Sequence, residues 1–146
     1  MSTEKEHVFY LSAHRELWDR IVKRIPNDFV TDPIYRPELD DVKDAEINGM
    51  AQDGTLQKIT GREWETPVDV TCNCFACQYD VELDPEEIES CKHCPLSWHP
   101  LEECEKNTGL YNLLAYAYIF GQDIRYAVSL AESIRDCPVK EGVKTI

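Results

Sequence analysis

Apolar residues recur at helical spacing near the start of the chain. A stripe on one helix face is formed by Leu17, Trp18, Ile21, Val22 and Ile25. This spacing predicts an amphipathic helix. Ser12 precedes the stripe and is suited to capping, and Pro26 follows it and is expected to stop the helix. We therefore predict an N-terminal helix over residues 11–25.

The last third of the chain predicts a helical hairpin over residues 108–137. Its first helix carries an apolar stripe formed by Leu110, Leu113, Leu114 and Ala117. The tyrosines and Phe120 lie on the other faces of this helix. Such a helix is expected to be central in the core or covered by a partner. After a break at residues 121–123, the second helix carries Ile124, Ala127, Val128, Ala131 and Ile134 and ends before Pro138. Residues 139–146 are expected to fray. The predicted core joins Leu17, Trp18, Ile21, Leu113, Leu114, Val128 and Ile134.

Residues 37–71 are expected to form an acidic connecting segment. Glu38 to Met50 is compatible with a short acidic helix entered at Pro37, whereas residues 52–65 look like a loop. Residues 67–72 alternate polar and apolar positions, which predicts a short strand. Asp84 and Pro85 predict the start of another short helix, ending at Cys91.

Two CxxC pairs give the clearest chemical signal in the sequence. Cys74 and Cys77 form the first pair, Cys91 and Cys94 form the second, and thirteen residues separate the two pairs. Each pair can present two sulfur atoms to one ion, and two pairs supply the four thiolates of a tetrahedral zinc site. We therefore predict a structural Zn²⁺ in a zinc-binding lobe over residues 72–104. A closed site of this kind stabilises the fold and leaves no open position for catalysis.

The ligand set has alternatives. Cys72 stands two residues before Cys74, Cys104 follows the second pair, and His99 is a possible nitrogen ligand. Cys137 is expected to be a buried, small apolar residue. A disulfide framework is disfavoured by the odd number of cysteines, seven, and by an N-terminus without a secretory signal pattern.

The negative charge is concentrated in the middle of the chain. The net charge is −13, and residues 37–90 hold fifteen acidic and three basic side chains. This balance disfavours general binding to nucleic acid or to an anionic membrane. A solvated acidic face that maintains solubility is one interpretation, and a surface for a basic partner is the other. The partner-binding candidates in the zinc-binding lobe are Asp80, Glu82, Glu86, Glu87, Glu89 and Trp98.

The longest apolar run is eight residues, too short to cross a bilayer. Together with the absence of a signal-peptide pattern, this predicts a cytoplasmic protein. No serine–histidine–aspartate set, phosphate-binding loop or HExxH motif is visible. The sequence thus predicts a protein that is not an enzyme.

The central motif, from Cys74 through Cys91-Lys92-His93-Cys94-Pro95-Leu96-Ser97-Trp98, resembles small zinc-motif proteins encoded by phages and prophages. The resemblance covers roughly residues 12–22 and 72–138. It implies the two CxxC pairs as metal ligands, an N-terminal helix and a C-terminal helical pair. The long acidic stretch and the extra Cys72 depart from that pattern.

These observations predict a mainly α, single small domain with a zinc-ribbon or knuckle-like insert, stapled by structural zinc. The expected function is that of an acidic accessory protein in the host cytoplasm. It would bind and modulate a host protein with a basic surface, such as one that handles nucleic acid or acts in defence. The alternative is a zinc-dependent regulatory module that binds nucleic acid, for which Arg15, Arg20, Lys23 and Arg24 offer only a small basic stripe.

Overall fold

The computed structural model of the chain describes residues 8–30, 32–68, 74–83, 94–97, 109–120 and 123–146. Within these ranges the structure is mainly helical, which confirms the predicted fold class at that level. Its elements are α1 (Leu11–Val30), a 3₁₀ helix (Pro33–Tyr35), α2 (Leu39–Gln52), α3 (Thr55–Thr60), α4 (Phe75–Leu83), α5 (Leu110–Phe120) and α6 (Ile124–Arg135). No β-strand occurs in the described residues, where extended pairing is limited to two single bridges.

Helix α1 lies at the centre of the packing. It contacts α2, α3, α4 and α6, while α5 packs mainly against α6. The buried face of α1 comprises Ala13, His14, Leu17, Trp18, Ile21 and Ile25. The predicted apolar stripe is therefore the face that the other helices cover.

The predicted end of the first helix at Pro26 is wrong. Helix α1 continues through Pro26 to Val30. The extension is held from outside the helix: Arg36 donates hydrogen bonds to the carbonyl oxygens of Asp28 and Phe29, and the ring of Phe29 packs edge-on against Tyr118. These contacts offset the backbone hydrogen bond that proline cannot donate.

The segment predicted as an acidic connection contains two helices. Helix α2 confirms the short acidic helix, but α3 contradicts the loop predicted for residues 52–65. The side chain of Asp53 accepts a hydrogen bond from the N–H of Thr55, and Leu56 is fully buried. Tertiary burial thus stabilises a helix of only six residues that periodicity alone does not reveal. Of the predicted strand, Val68 is buried outside any strand, and the residues after it lie outside the described ranges.

Helices α5 and α6 form the predicted C-terminal hairpin. The side chain of Asp123 caps α6 by accepting hydrogen bonds from the N–H groups of Arg125 and Tyr126. Helix α5 buries Leu114, Ala117 and Tyr118, but it is not covered all round. Its opposite face exposes Tyr116, Ile119 and Phe120. Of the predicted core residues, Leu17, Trp18, Ile21, Leu114 and Ile134 are buried, and Leu113 and Val128 are partly buried.

The last residues of the chain do not fray as predicted. Their backbone pairs with the start of the chain: Phe9 donates to Lys144, and Ile146 donates to Phe9. The same tail also pairs with the 94–97 segment through the Leu96–Val139 bridge. These long-range bonds, together with the complete burial of Phe9, anchor the C-terminus.

Among the described residues, no helix combines the length and the apolar character required to cross a membrane.

Candidate metal centre

The first CxxC pair lies at the start of α4. The carbonyl oxygen of Cys74 accepts the N–H of Gln78 at 3.0 Å, so Cys74 directly precedes the helix and Cys77 falls in its first turn. Cys74 is partly buried, and the side chain of Cys77 is outside what the structure describes. A helix start brings residues three apart to the same side, which is the arrangement that a chelating pair requires.

The second pair is represented by Cys94, which is buried. The residues that follow it are fixed against the C-terminal tail. Lys140 donates its N–H to the carbonyl oxygen of Pro95, and Ser97 donates to that of Pro138, both at 2.7 Å. Because these bonds hold the backbone next to Cys94, they restrict where its sulfur atom can lie.

Cys137 is buried beside the same segment, as expected from the sequence. Its thiol donates a hydrogen bond to the carbonyl oxygen of Ser97 at 3.1 Å. Burial, with a smaller contribution from Cys94, raises the pKa of the Cys137 thiol to about 11. Cys137 is therefore a protonated donor at neutral pH that fastens the end of α6 to this segment.

The remaining predicted site residues are described only in part. Backbone positions place Asp80 in α4, and Glu82 is exposed and accepts a hydrogen bond from Gln78 at 2.8 Å. Outside the described ranges lie Cys72, Glu86, Glu87, Glu89, Cys91, Trp98, His99 and Cys104. Among the described residues, no three His, Cys, Asp or Glu side chains are grouped so that they could hold a metal ion.

His14 is a candidate that sequence reasoning did not select. It is buried in α1, and its Nε2 lies 2.9 Å from the carbonyl oxygen of Ile134 in α6. A nitrogen facing a carbonyl oxygen must carry the hydrogen, so Nδ1 retains its lone pair in the neutral ring. Nδ1 is buried and has no hydrogen-bond partner among the described residues.

The charge state of His14 agrees with this tautomer. Burial lowers the pKa of the imidazole to about 4, against the raising effect of the hydrogen bond to Ile134. The ring is therefore neutral at physiological pH. Neutral imidazole is the form in which histidine binds metal ions.

A cavity of about 20 Å³ is lined by both His14 and Cys74, the first residue of the first CxxC pair. It is lined by His14, Trp18, Lys43, Cys74, Leu96, Tyr111 and Ile134. This volume suits one water molecule or one ion, and it is far below the roughly 300 Å³ at which pockets for small-molecule substrates begin. The cavity can thus hold a single small occupant between α1 and the start of α4.

A positive charge also lies at this cavity. Lys43 is buried, and its Nζ is 3.5 Å from the carboxylate of Asp40 and 4.3 Å from the ring centroid of Tyr111. The hydroxyl of Tyr111 donates a hydrogen bond to the same carboxylate. A buried ammonium favours negative charge in its surroundings, and the carboxylate of Asp40 supplies that charge.

Among the described residues, His14 and Cys74 are the histidine and cysteine side chains that line this cavity. Thiol sulfur and neutral imidazole nitrogen are the ligands that zinc takes in structural sites. His14 precedes Trp18 by one helical turn on the buried face of α1. A histidine in an otherwise apolar stripe was the available sequence signal, but nothing in the sequence shows that Cys74 lines the same cavity. Comparisons of the chain with protein-family models, curated proteins and solved structures find no match.

Proposed function

We propose that this chain is a non-enzymatic, zinc-stabilised accessory protein of phage type that acts in the host cytoplasm. It binds and modulates a host protein that presents a basic surface, such as one that handles nucleic acid or acts in defence. In this proposal a zinc ion bound by Cys74, Cys77, Cys91 and Cys94 holds the zinc-binding lobe in shape. The phage setting comes from the resemblance of the central motif.

The observation that carries this proposal is the distribution of charge on α2. Its exposed residues include Asp40, Asp41 and Asp44, whereas its one lysine, Lys43, is buried. Asp41 and Asp44 make no ion pair with the described residues. Asp41 and Asp44 therefore offer negative charge to solvent that no cation among the described residues neutralises, whereas Asp40 is paired with Lys43. Such a surface accelerates association with a basic partner and selects against an acidic one.

The acidic residues at the start of α2 also have a structural role. Asp40 and Asp41 lie in its first turn, where negative charge complements the positive end of the helix dipole. That effect does not extend to Asp44, which lies in the second turn and is exposed. The helix dipole thus accounts for the acidic residues in the first turn of α2 but not for Asp44.

The nucleic-acid alternative is weakened by the ion pairs of α1. Arg20 contacts Glu16 and Asp53 at 2.9 Å each. Arg24 contacts Asp28 and Glu46 at 2.8 and 3.1 Å. Two cations of the small basic stripe are thereby neutralised within the fold, and Lys23 also pairs with Asp19. What remains is too little positive charge to hold a phosphate backbone.

The test is binding to host protein with a charge-matched control. Tagged full-length chain is used to recover a partner from host lysate, and the purified partner is then titrated at two salt concentrations. The variant Asp41→Asn/Asp44→Asn neutralises two charges on α2. The control Glu132→Gln/Glu141→Gln changes the net charge equally at and beyond α6, where both side chains are at least partly exposed.

We expect the α2 variant to weaken binding at low salt, with the difference shrinking as salt rises, because screening weakens exposed charges. The control should bind as the parent does. A second variant with Asp80, Glu82, Glu86, Glu87 and Glu89 neutralised tests whether the zinc-binding lobe extends the acidic surface. Equal effects of the α2 variant and its control would contradict a defined acidic face. Binding to random DNA at moderate salt would instead favour the nucleic-acid module.

A further inference from the structure

We infer that the chain forms a homodimer through the C-terminal end of α5 and the 3₁₀ helix beside it. The surface concerned consists of large apolar side chains that remain exposed in the structure. We call it the α5 patch, and its members are Val30, Ile34, Tyr35, Tyr116, Ile119 and Phe120. Its occupant is the same patch of a second copy of this chain. The dimer depends neither on the zinc site nor on the acidic residues of α2.

The two parts of the α5 patch are joined by Arg36, which follows the 3₁₀ helix. Its guanidinium donates hydrogen bonds to the carbonyl oxygens of Ala117 and Tyr118 at 3.3 and 3.1 Å. The ring of Phe29, the residue before Val30, packs edge-on against Tyr118. The 3₁₀ helix and the end of α1 therefore lie against the C-terminal half of α5, and the exposed side chains of all three elements form one surface.

The exposed area of the α5 patch is close to what a stable dimer requires of each partner. Tyr35 is 79% exposed, Phe120 is 66% exposed and Tyr116 is 47% exposed. An aromatic side chain can bury roughly 150–250 Å², so these three offer about 400 Å², and the three aliphatic members bring the patch to about 700 Å². Stable interfaces bury about 800 Å² per partner, whereas the largest apolar patch on a typical monomer is about 300–600 Å². The α5 patch is thus of interface size.

Two rings of the patch are already held in place. Tyr116 and Phe120 are one helical turn apart, and their rings stack with centroids 6.1 Å apart and planes 21° from parallel. A side chain that is ordered before binding loses little conformational entropy when a partner covers it. Aromatic side chains of this kind are the usual anchors of protein interfaces.

The local charge favours a second copy over the basic partner expected for α2. Helix α5 carries no charged side chain, although the net charge of the chain is −13. The bordering residues 29–36 and 121–126 contain two acidic and two basic residues, so their charges balance. A basic partner would find no attraction here and would lose the hydration of its cations. In a symmetric dimer the patch meets itself, which an uncharged surface permits without repulsion.

Sedimentation equilibrium of the full-length chain measures this dimer directly. Over concentrations from about 1 µM to 1 mM, we expect the mass to rise from that of one chain to that of two. Added salt should strengthen the dimer, because it screens the repulsion between two copies that each carry a net charge of −13. A chain that stays monomeric over this range overturns the proposal.

A pair of charge-matched variants tests the assigned face. Ile119→Asp places a charge in the patch and should weaken the dimer by about tenfold or more. The control Ile146→Asp adds the same charge to a side chain that is 48% exposed. The backbone of Ile146 pairs with Phe9 and Ser12 near the start of α1, at the opposite end of that helix from Val30. This control should dimerise as the parent does, and equal weakening by the two variants overturns the proposal.

Two further measurements do not depend on how Ile119→Asp associates. In dilute samples, where the parent is monomeric, Ile119→Asp should unfold at nearly the parent's temperature. A clear loss of stability there would mean that the chain covers the patch itself, which overturns the proposal. Hydrogen exchange of the parent should slow in residues 34–36 and 116–120 as the concentration rises. A dimer that protects other residues and leaves these unchanged also overturns it.

Discussion

The hydroxyl group of Tyr118 donates a hydrogen bond to the carboxylate of Asp28 at 2.8 Å, which ties the end of α1 to α5. Burial and the nearby Asp28 raise the pKa of Tyr118, so the hydroxyl remains a donor at all physiological pH values. Arg24 contacts the same carboxylate, and Arg36 donates to the carbonyl oxygens of Ala117 and Tyr118. This contact explains why α1 extends past Pro26.

Replacing Pro26 should therefore stabilise the protein. Pro26 is exposed inside α1, and alanine restores a backbone donor and removes the clash of the proline ring. We expect Pro26→Ala to raise the free energy of unfolding by about 1–3 kcal/mol. Urea unfolding measures this, with Pro138→Ala as the control because Pro138 lies outside any helix. A loss of stability in Pro26→Ala would mean that the docking of Asp28 depends on a bend at the proline.

The covered and exposed faces of α5 give a matched pair of substitutions. Leu114 is fully buried, and Ile119 is 55% exposed on the same helix. Leu114→Asp should cost on the order of 3 kcal/mol or more, because it buries an unpaired charge. Ile119→Asp should change stability by less than about 1 kcal/mol. Similar losses in the two variants, measured by thermal unfolding, would show that the exposed face of α5 is covered in solution.

The pH dependence of stability should include a contribution from Asp53. Hydrogen bonds from the hydroxyl and N–H of Thr55, and then from Arg20, lower the pKa of Asp53 to about 2. A depressed carboxylate pKa stabilises the folded state above the ordinary value near 4, and this stabilisation is lost as the pH falls from about 4 to about 2.

Asp53→Asn should therefore destabilise the chain at pH 7, with the difference from the parent shrinking as the pH falls through this range. Urea unfolding at pH 7, 4 and 3 measures that difference. Glu141→Gln is the control and should differ little from the parent at every pH, because Glu141 makes no ion pair with the described residues. A constant penalty for Asp53→Asn across these pH values would show that its carboxylate charge contributes nothing.

Hydrophobic periodicity predicted the helices that carry an apolar face over several turns. The stripe through Leu17 and Ile21 marked α1, and Ala127 and Ile134 marked α6. Helix α3 was not predicted because six residues span less than two helical turns, which is too short for a periodic pattern to be recognised. Its formation depends on the burial of Leu56. The order of the C-terminal tail depends on hydrogen bonds to Phe9, more than a hundred residues away, which no local pattern encodes.

The sequence could predict which residue types are able to bind a metal ion, but not how those residues are arranged in the fold. CxxC spacing identified Cys74 as a ligand candidate without the structure. The position of His14 and Cys74 at one cavity is a consequence of how α1 packs against α4 and α6, and the two are sixty positions apart along the chain. Spacing rules apply only to residues that are close in sequence, so side chains from distant helices that line one cavity are found only in the tertiary structure.

The metal content of the untagged, full-length chain tests the account most directly. Native mass spectrometry, with elemental analysis of the same sample, should find one zinc ion per chain. Removing the ion with a chelator should lower the melting temperature, because a metal that binds only the folded state stabilises it. Cys77→Ser and Cys94→Ser should lose the ion, whereas Cys137→Ser should retain it. A chain that carries no stoichiometric zinc or iron, and whose melting curve is unchanged by the chelator, would contradict the account.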